Sequence, residues 1–275
     1  MLSGGSAMLR CGNCWRLNHS ERRPLNARWR GVTGKRRRTA VKLESNPMSA
    51  ASVGFSYTRA GRFWSATIGK KIVMAVSGII LILFLIGHLL GNLQVYMGPE
   101  RFNEYARLLR VEPALLWAVR IVLLVMVILH IWASVSLAVL NKFNARPVGY
   151  VKKKNVASTY ASRTMYWSGP IILAFVIYHL MQFTWGVGGT PFEEGHAYQN
   201  LVAGFQAPLI SIFYIIAMAL LMLHLYHGAW SLFQTLGFSH PRYTPLLRNL
   251  AKILSILLFL GFSSIPISVM AGIVS

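Results

Sequence analysis

Four histidines, His88, His130, His179 and His227, fall one each within four successive apolar stretches of this 275-residue chain. An ionisable side chain in hydrocarbon is costly, so it is seldom kept without a use. Neutral imidazole is also the commonest metal ligand. One imidazole per helix makes two axial pairs, a ligand set for two haems in a helical bundle. A further histidine, His224, stands three residues before His227 on an adjacent helical face, so either fits by spacing. Gly228 directly after His227 would let a large ring approach closely, which favours His227. His19, His196 and His240 fall in the leader or in loops and read as ordinary polar residues.

The stretches that must position these side chains are five in number, spanning residues 71–97, 114–141, 164–186, 206–234 and 250–273. Each is long enough, at about 1.5 Å per residue, to cross a hydrocarbon core about 30 Å thick. Backbone polar groups in lipid must be satisfied internally, so the predicted fold is all-α: an integral membrane protein of five transmembrane helices. Four of them form a haem-binding bundle and the fifth packs beside it. Gly169 and Pro170 are expected to interrupt the third span early, Pro208 sits near the start of the fourth, and Pro266 is placed to kink the fifth.

Composition agrees with that class. The chain is 55% hydrophobic and 13% charged, against about 25% charged in a typical soluble domain. The net charge of +21 suggests nucleic acid at first sight. Its distribution argues against that partner, because residues 1–47 carry eleven Lys/Arg against two Glu and most of the remaining excess flanks apolar spans. Residues 1–55 therefore read as a basic, disordered leader ahead of a membrane domain at 56–275. It is either a tail or a translated extension before Met48, in preference to an organellar transit peptide. Cys11 and Cys14 form a lone CxxC in this leader, without two further ligands for zinc.

Loop charges set an orientation. Lys142, Arg146, Lys152, Lys153, Lys154 and Arg163 follow the second span, Arg242 and Arg248 follow the fourth, and Arg59, Arg62, Lys70 and Lys71 precede the first. The loop after the third span carries only Glu193 and Glu194. The N-terminus is thus expected in the cytoplasm and the C-terminus outside. Tracing depth from each entry point puts His88 and His179 about 25 Å along outward-running spans, near the outer face. His130 and His227 lie about 24 and 31 Å along inward-running spans, toward the cytoplasm. The expected pairs are therefore His88 with His179 (outer) and His130 with His227 (inner), each across a diagonal of the bundle.

The run KKIVMAVSG at 70–78, the run GHLLGNL at 87–93 and the run HLYHGAWSLFQ at 224–234 resemble the first and fourth spans of the five-helix dihaem cytochrome b anchor of succinate dehydrogenases and fumarate reductases. The resemblance covers residues 60 to 275 and maps the family's ligand followed by Gly onto His227. It implies two haem b groups and a quinone substrate, typically menaquinone. The implied partners are a flavoprotein subunit carrying FAD and an iron–sulfur subunit on the cytoplasmic face, with the chain in the inner (cell) membrane. On that reading the chain passes electrons and does no chemistry on succinate itself.

A quinone site is expected near the outer pair, where Glu100, Glu104, Arg107 and Glu112 could exchange protons, or could be solvated charges on a short amphipathic helix. Arg120, about 9 Å into the second span, either snorkels to the headgroups or binds a haem propionate. Asn92 and Gln94 could orient a ligand or simply glue helices. Two other functions share the pattern. One is the cytochrome b anchor of a hydrogenase or formate dehydrogenase. The other is a haem-free transporter with a histidine proton relay.

Overall fold

The computed structural model describes residues 59–144 and 158–275. The leader, its boundary near residue 55, the CxxC pair and most of the basic loop after the second span lie outside these residues. Among the described residues every regular element is helical. In order these are α1 (Arg59–Ser65), α2 (Thr67–Asn92), α3 (Pro99–Leu108), α4 (Pro113–Val139), α5 (Tyr160–Phe183), α6 (Ala197–Gln206), α7 (Pro208–Thr235) and α8 (Thr244–Met270). A 3-10 turn at Leu93–Met97 extends α2 and a π-helical turn at Leu140–Asn144 extends α4.

Five helices, α2, α4, α5, α7 and α8, are long and apolar enough to cross a membrane. The protein is an all-α, multi-pass integral membrane protein, and the lipid bilayer is its partner. Its outward faces show why. Leu115, Leu124, Ile128, Leu209 and Leu257 all stand exposed, and α4 buries only Ala133 and Leu137. Such a surface would be insoluble in water but is indifferent in lipid. Where helices meet, small residues let the backbones approach: Ala75, Ser77, Ala133, Ala217, Ala229 and Ala251 are all buried. This is the packing expected where lipid tails compete with apolar side chains and the hydrophobic effect gives helices no reason to associate.

Helix starts follow local chemistry. Pro113 and Pro208 open α4 and α7 in the first turn, where a missing N–H costs nothing. The Thr159 hydroxyl accepts from the Ser162 N–H at 3.2 Å and starts α5 at Tyr160. Gly237, at φ 85°, ends α7: Phe238 N–H reaches Phe233 O at 2.9 Å, a closure that needs a left-handed residue.

Two expectations change. Helix α5 runs unbroken through Pro170 and is not interrupted there. Proline forfeits one backbone hydrogen bond, and a long membrane helix held on both sides by regular turns tolerates the loss. Helix α8 begins at Thr244, six residues before the apolar stretch at 250, because Pro245 in its first turn is a favourable start and the polar first turn lies outside the apolar run.

Helix α2 packs beside α4, α5 beside α7, and α7 beside α8, with α2 also touching α7 and α8. No comparable backbone packing joins α2 to α5 or α4 to α7, so these two diagonals stay open between the helices. At one end, α3 and α6 fold over the bundle. Asn103 on α3 accepts from the Tyr198 N–H at 2.9 Å and donates to Gln199 at 3.1 Å. It thereby satisfies one of the orphan N–H groups at the start of α6, whose N-cap His196 supplies no side-chain bond. Tyr198, Leu201, Val202 and Phe205 of α6 are buried in the main core with Phe102, Phe175 and Tyr214. This cap was not apparent from sequence, because α6 is short, its apolar content is modest, and only its neighbours make it a core helix.

Candidate functional site

The open diagonals are where histidines meet. His88 on α2 and His179 on α5 bring their ring centroids to 5.8 Å with the rings at 86°. His130 on α4 and His224 on α7 come to 6.3 Å at 53°. All four are half-buried. The first pair lies toward the α3/α6 cap, since His88 and His179 sit near the α2 and α5 ends that lead into it. The second lies toward the opposite end.

The second pair is formed by His224 and not by His227. The ring that faces His130 is His224, and among the described residues His227 has neither a ring contact nor a side-chain hydrogen bond. Three residues along a helix turn the side chain by about 60° and move it about 4.5 Å, enough to leave the diagonal. Gly228, which favoured His227 in sequence, has nothing within 4 Å of where a Cβ would lie. Open space therefore lies beside His227, room that a large ring could use.

Each paired imidazole has a polar neighbour. The Ser77 hydroxyl lies 3.2 Å from His130 Nδ1 and itself donates to Val73 O at 2.8 Å. Because its proton points to a carbonyl, the serine oxygen accepts from Nδ1–H and leaves Nε2 with its lone pair. Ser168 stands 3.4 Å from His224 Nδ1. Both serines are fully buried, each on the membrane-length helix that precedes its histidine's own, so α2 serves α4 and α5 serves α7. His179 Nδ1 lies 3.3 Å from the Tyr214 hydroxyl. Asn92 bonds the His88 carbonyl at 2.7 Å, and its amide nitrogen is 3.3 Å from both ring nitrogens of His88.

Two imidazoles holding one metal at about 2.0–2.1 Å place their ring centroids about 6 Å apart, the spacing seen in both pairs. Among the described residues no group of three or more His, Cys, Asp or Glu gathers at one point. A bare zinc-like ion needs about four ligands, so two-imidazole sites suit a metal that brings its own equatorial ligands. Haem iron with axial histidines is such a group.

The remaining candidates fall elsewhere. Glu104 and Arg107 are exposed on α3, where Glu104 pairs with Arg101 at 3.8 Å. Glu100 lies in the first turn of α3, Arg107 in its last, and Glu112 at the N-cap of α4. The charges suit the ends of this short amphipathic helix. Arg120 is exposed on the outer face of α4, with its guanidinium 5.3 Å from the Trp117 ring centroid. This contact fits the snorkelling alternative, with the guanidinium over a neighbouring aromatic ring. Ser77, Ser168, Tyr214 and Gln182 escaped sequence reading, because a serine or tyrosine in an apolar span resembles ordinary helix glue until its partner helix is known. Comparison with family models, curated proteins and solved structures finds no match to this chain.

Proposed function

We propose that the chain is the dihaem cytochrome b membrane anchor of a succinate:quinone oxidoreductase, conducting electrons between an iron–sulfur subunit and a membrane quinone. The observation that carries this reading is the two half-buried histidine pairs, 5.8 and 6.3 Å between ring centroids, on two diagonals of one bundle. When bound there, haem supplies a one-electron Fe(III)/Fe(II) couple at each level. His88 and His179 would hold one haem, His130 and His224 the other. Ser77 would hold the His130 ring through Nδ1, and the cap lies at the first pair's end of the bundle.

The sequence resemblance at 70–78, 87–93 and 224–234 supports the partner assignment: an FAD-bearing flavoprotein and an iron–sulfur subunit docked on the basic side, with menaquinone as electron acceptor or donor. Lys70, Lys71, Arg163, Arg242 and Arg248 lie at the end away from the cap, which supports a cytoplasmic N-terminus and an outward-facing cap in the cell membrane. The exposed acids of α3 then lie on the side where a quinone at the cap-side haem would exchange protons, with Glu104 and Arg107 as candidates.

The test is a dithionite-reduced visible spectrum of the purified, haem-supplemented complex, with haem counted per chain. Two b-type haems and co-purification with an FAD-bearing subunit are expected. A sample without a b-type band sinks the proposal and leaves the histidine relay of a transporter. A b-type band with a hydrogenase or formate dehydrogenase partner keeps the wire and replaces the soluble enzyme.

A further inference from the structure

His179 is tied through a phenol to a buried amide. Gln182, at 1% exposure, and Tyr214, at 6%, are buried beneath the cap. The Tyr214 hydroxyl donates to Gln182 Oε1 at 2.7 Å, and its oxygen lies 3.3 Å from His179 Nδ1. A phenol has a single proton. With that proton committed to Gln182, the oxygen can only accept from the imidazole.

We propose that Tyr214 and Gln182 are positioning residues that lock His179 in the tautomer with Nδ1 protonated and Nε2 free to bind metal. The inference rests on the dihaem reading and assigns these residues a role within it. Reversing the Gln182 amide would reverse the whole chain: the amide would donate to the phenol, the phenol to Nδ1, and the proton would sit on Nε2, where it blocks ligation. The amide has little freedom to adapt otherwise. Its Nε2 is buried without a partner, and a Cβ on Gly204 would stand only 2.7 Å from it. A Cβ on Gly188 would come as close to Gln182 Cα, Cβ and Cγ. These two glycines let the backbone close over the glutamine and hold it in line with Tyr214. A metal on Nε2 would favour this direction, and the Nδ1–H bond would in turn make the imidazole a stronger electron donor to it.

The test is a redox titration of the two haems in the intact, membrane-extracted complex, with low-temperature EPR of the oxidised form. In Tyr214→Phe, His179 loses its acceptor and binds ferric iron less strongly. The midpoint of one haem should rise by about tenfold in its reduction equilibrium, ~59 mV for one electron, with a changed low-field g value. The other haem should not move. Gln182→Met should shift the same haem in the same direction by less. A wild-type complex without haem overturns this inference together with the dihaem reading. Two haems whose midpoints and g values are unmoved by both variants overturn the tautomer lock alone. If Tyr214→Phe fails to retain the haem, the Gln182→Met midpoint decides.

Discussion

Each end of this bundle holds a pair of histidines, and the two pairs sit in opposite surroundings. At the cap, His179 is ringed by Phe175, Phe183 and Tyr214, while Phe84 stacks on His88 at 5.2 Å. The α3/α6 cap and the main core close over them. At the other end, the one ring contact that His130 or His224 makes, among the described residues, is with the other histidine. There the imidazoles are held by two buried serines, and the helices meet through alanines. One site is shaped by aromatic packing and a phenol, the other by small residues and hydroxyls. A pair of redox centres built this way would differ in environment although their ligands are identical, because hydrogen bonding and burial both tune an axially held iron.

That contrast can be broken at its strongest point first. Replacing His179 or His88 by Ala should remove the haem at the cap side and leave the other, read as half the reduced b-band intensity. Replacing His130 or His224 should do the converse. His227→Ala should retain both haems. If His227→Ala loses a haem while His224→Ala keeps both, the pairing seen in the structure does not describe the ligated state.

Ser77→Ala and Ser168→Ala probe the serine side at a smaller scale. Each removes the hydroxyl beside a histidine Nδ1, which for His130 is the acceptor of Nδ1–H, and the midpoint of the haem away from the cap should move while the cap-side haem stays put. Equal movement of both haems in a titration would mean that the two environments are not separable. Asn103→Ala addresses the cap as structure. It strands the Tyr198 N–H and should lower stability by about 1–2 kcal/mol, seen as a lower midpoint in thermal unfolding of the detergent-solubilised protein, with the b-type spectrum kept. The smallest effect is expected for Arg120→Gln. Its cation–π contact to Trp117 contributes only about 0.5–1 kcal/mol, and neither haem midpoint should change; a shift in the cap-side haem would restore the propionate role.

Sequence carried the architecture far. Apolar runs of bilayer length specify helices because lipid offers the backbone no other partner, and the structure has helices at all five. Tracing the chain in and out also predicted that His88 would meet His179, since two helices running in the same direction place these histidines at equal depth. Asn92, one turn beyond His88, was legible for the same reason: residues four apart share a helical face.

The limits of that reading have a common cause. Depth along a helix follows from counting residues, but direction around it does not. His224 and His227 differ by about 4.5 Å in depth and by about 60° in direction, and only the packing of α7 against α5 and α8 decides which one turns to α4. The same holds for Arg120, whose depth left snorkelling and a haem propionate open and whose guanidinium lies over Trp117. The cap helix α6 and the serine and tyrosine partners are contacts between segments far apart in the chain, such as Ser77 with His130 and Asn103 with Tyr198. The sequence by itself determined how many times the chain crosses the membrane and at what levels its imidazoles lie, because both depend on local polarity and helical rise. The tertiary structure alone decided which imidazoles face each other and what holds their second nitrogens, because rotation about each helix axis is set by its neighbours.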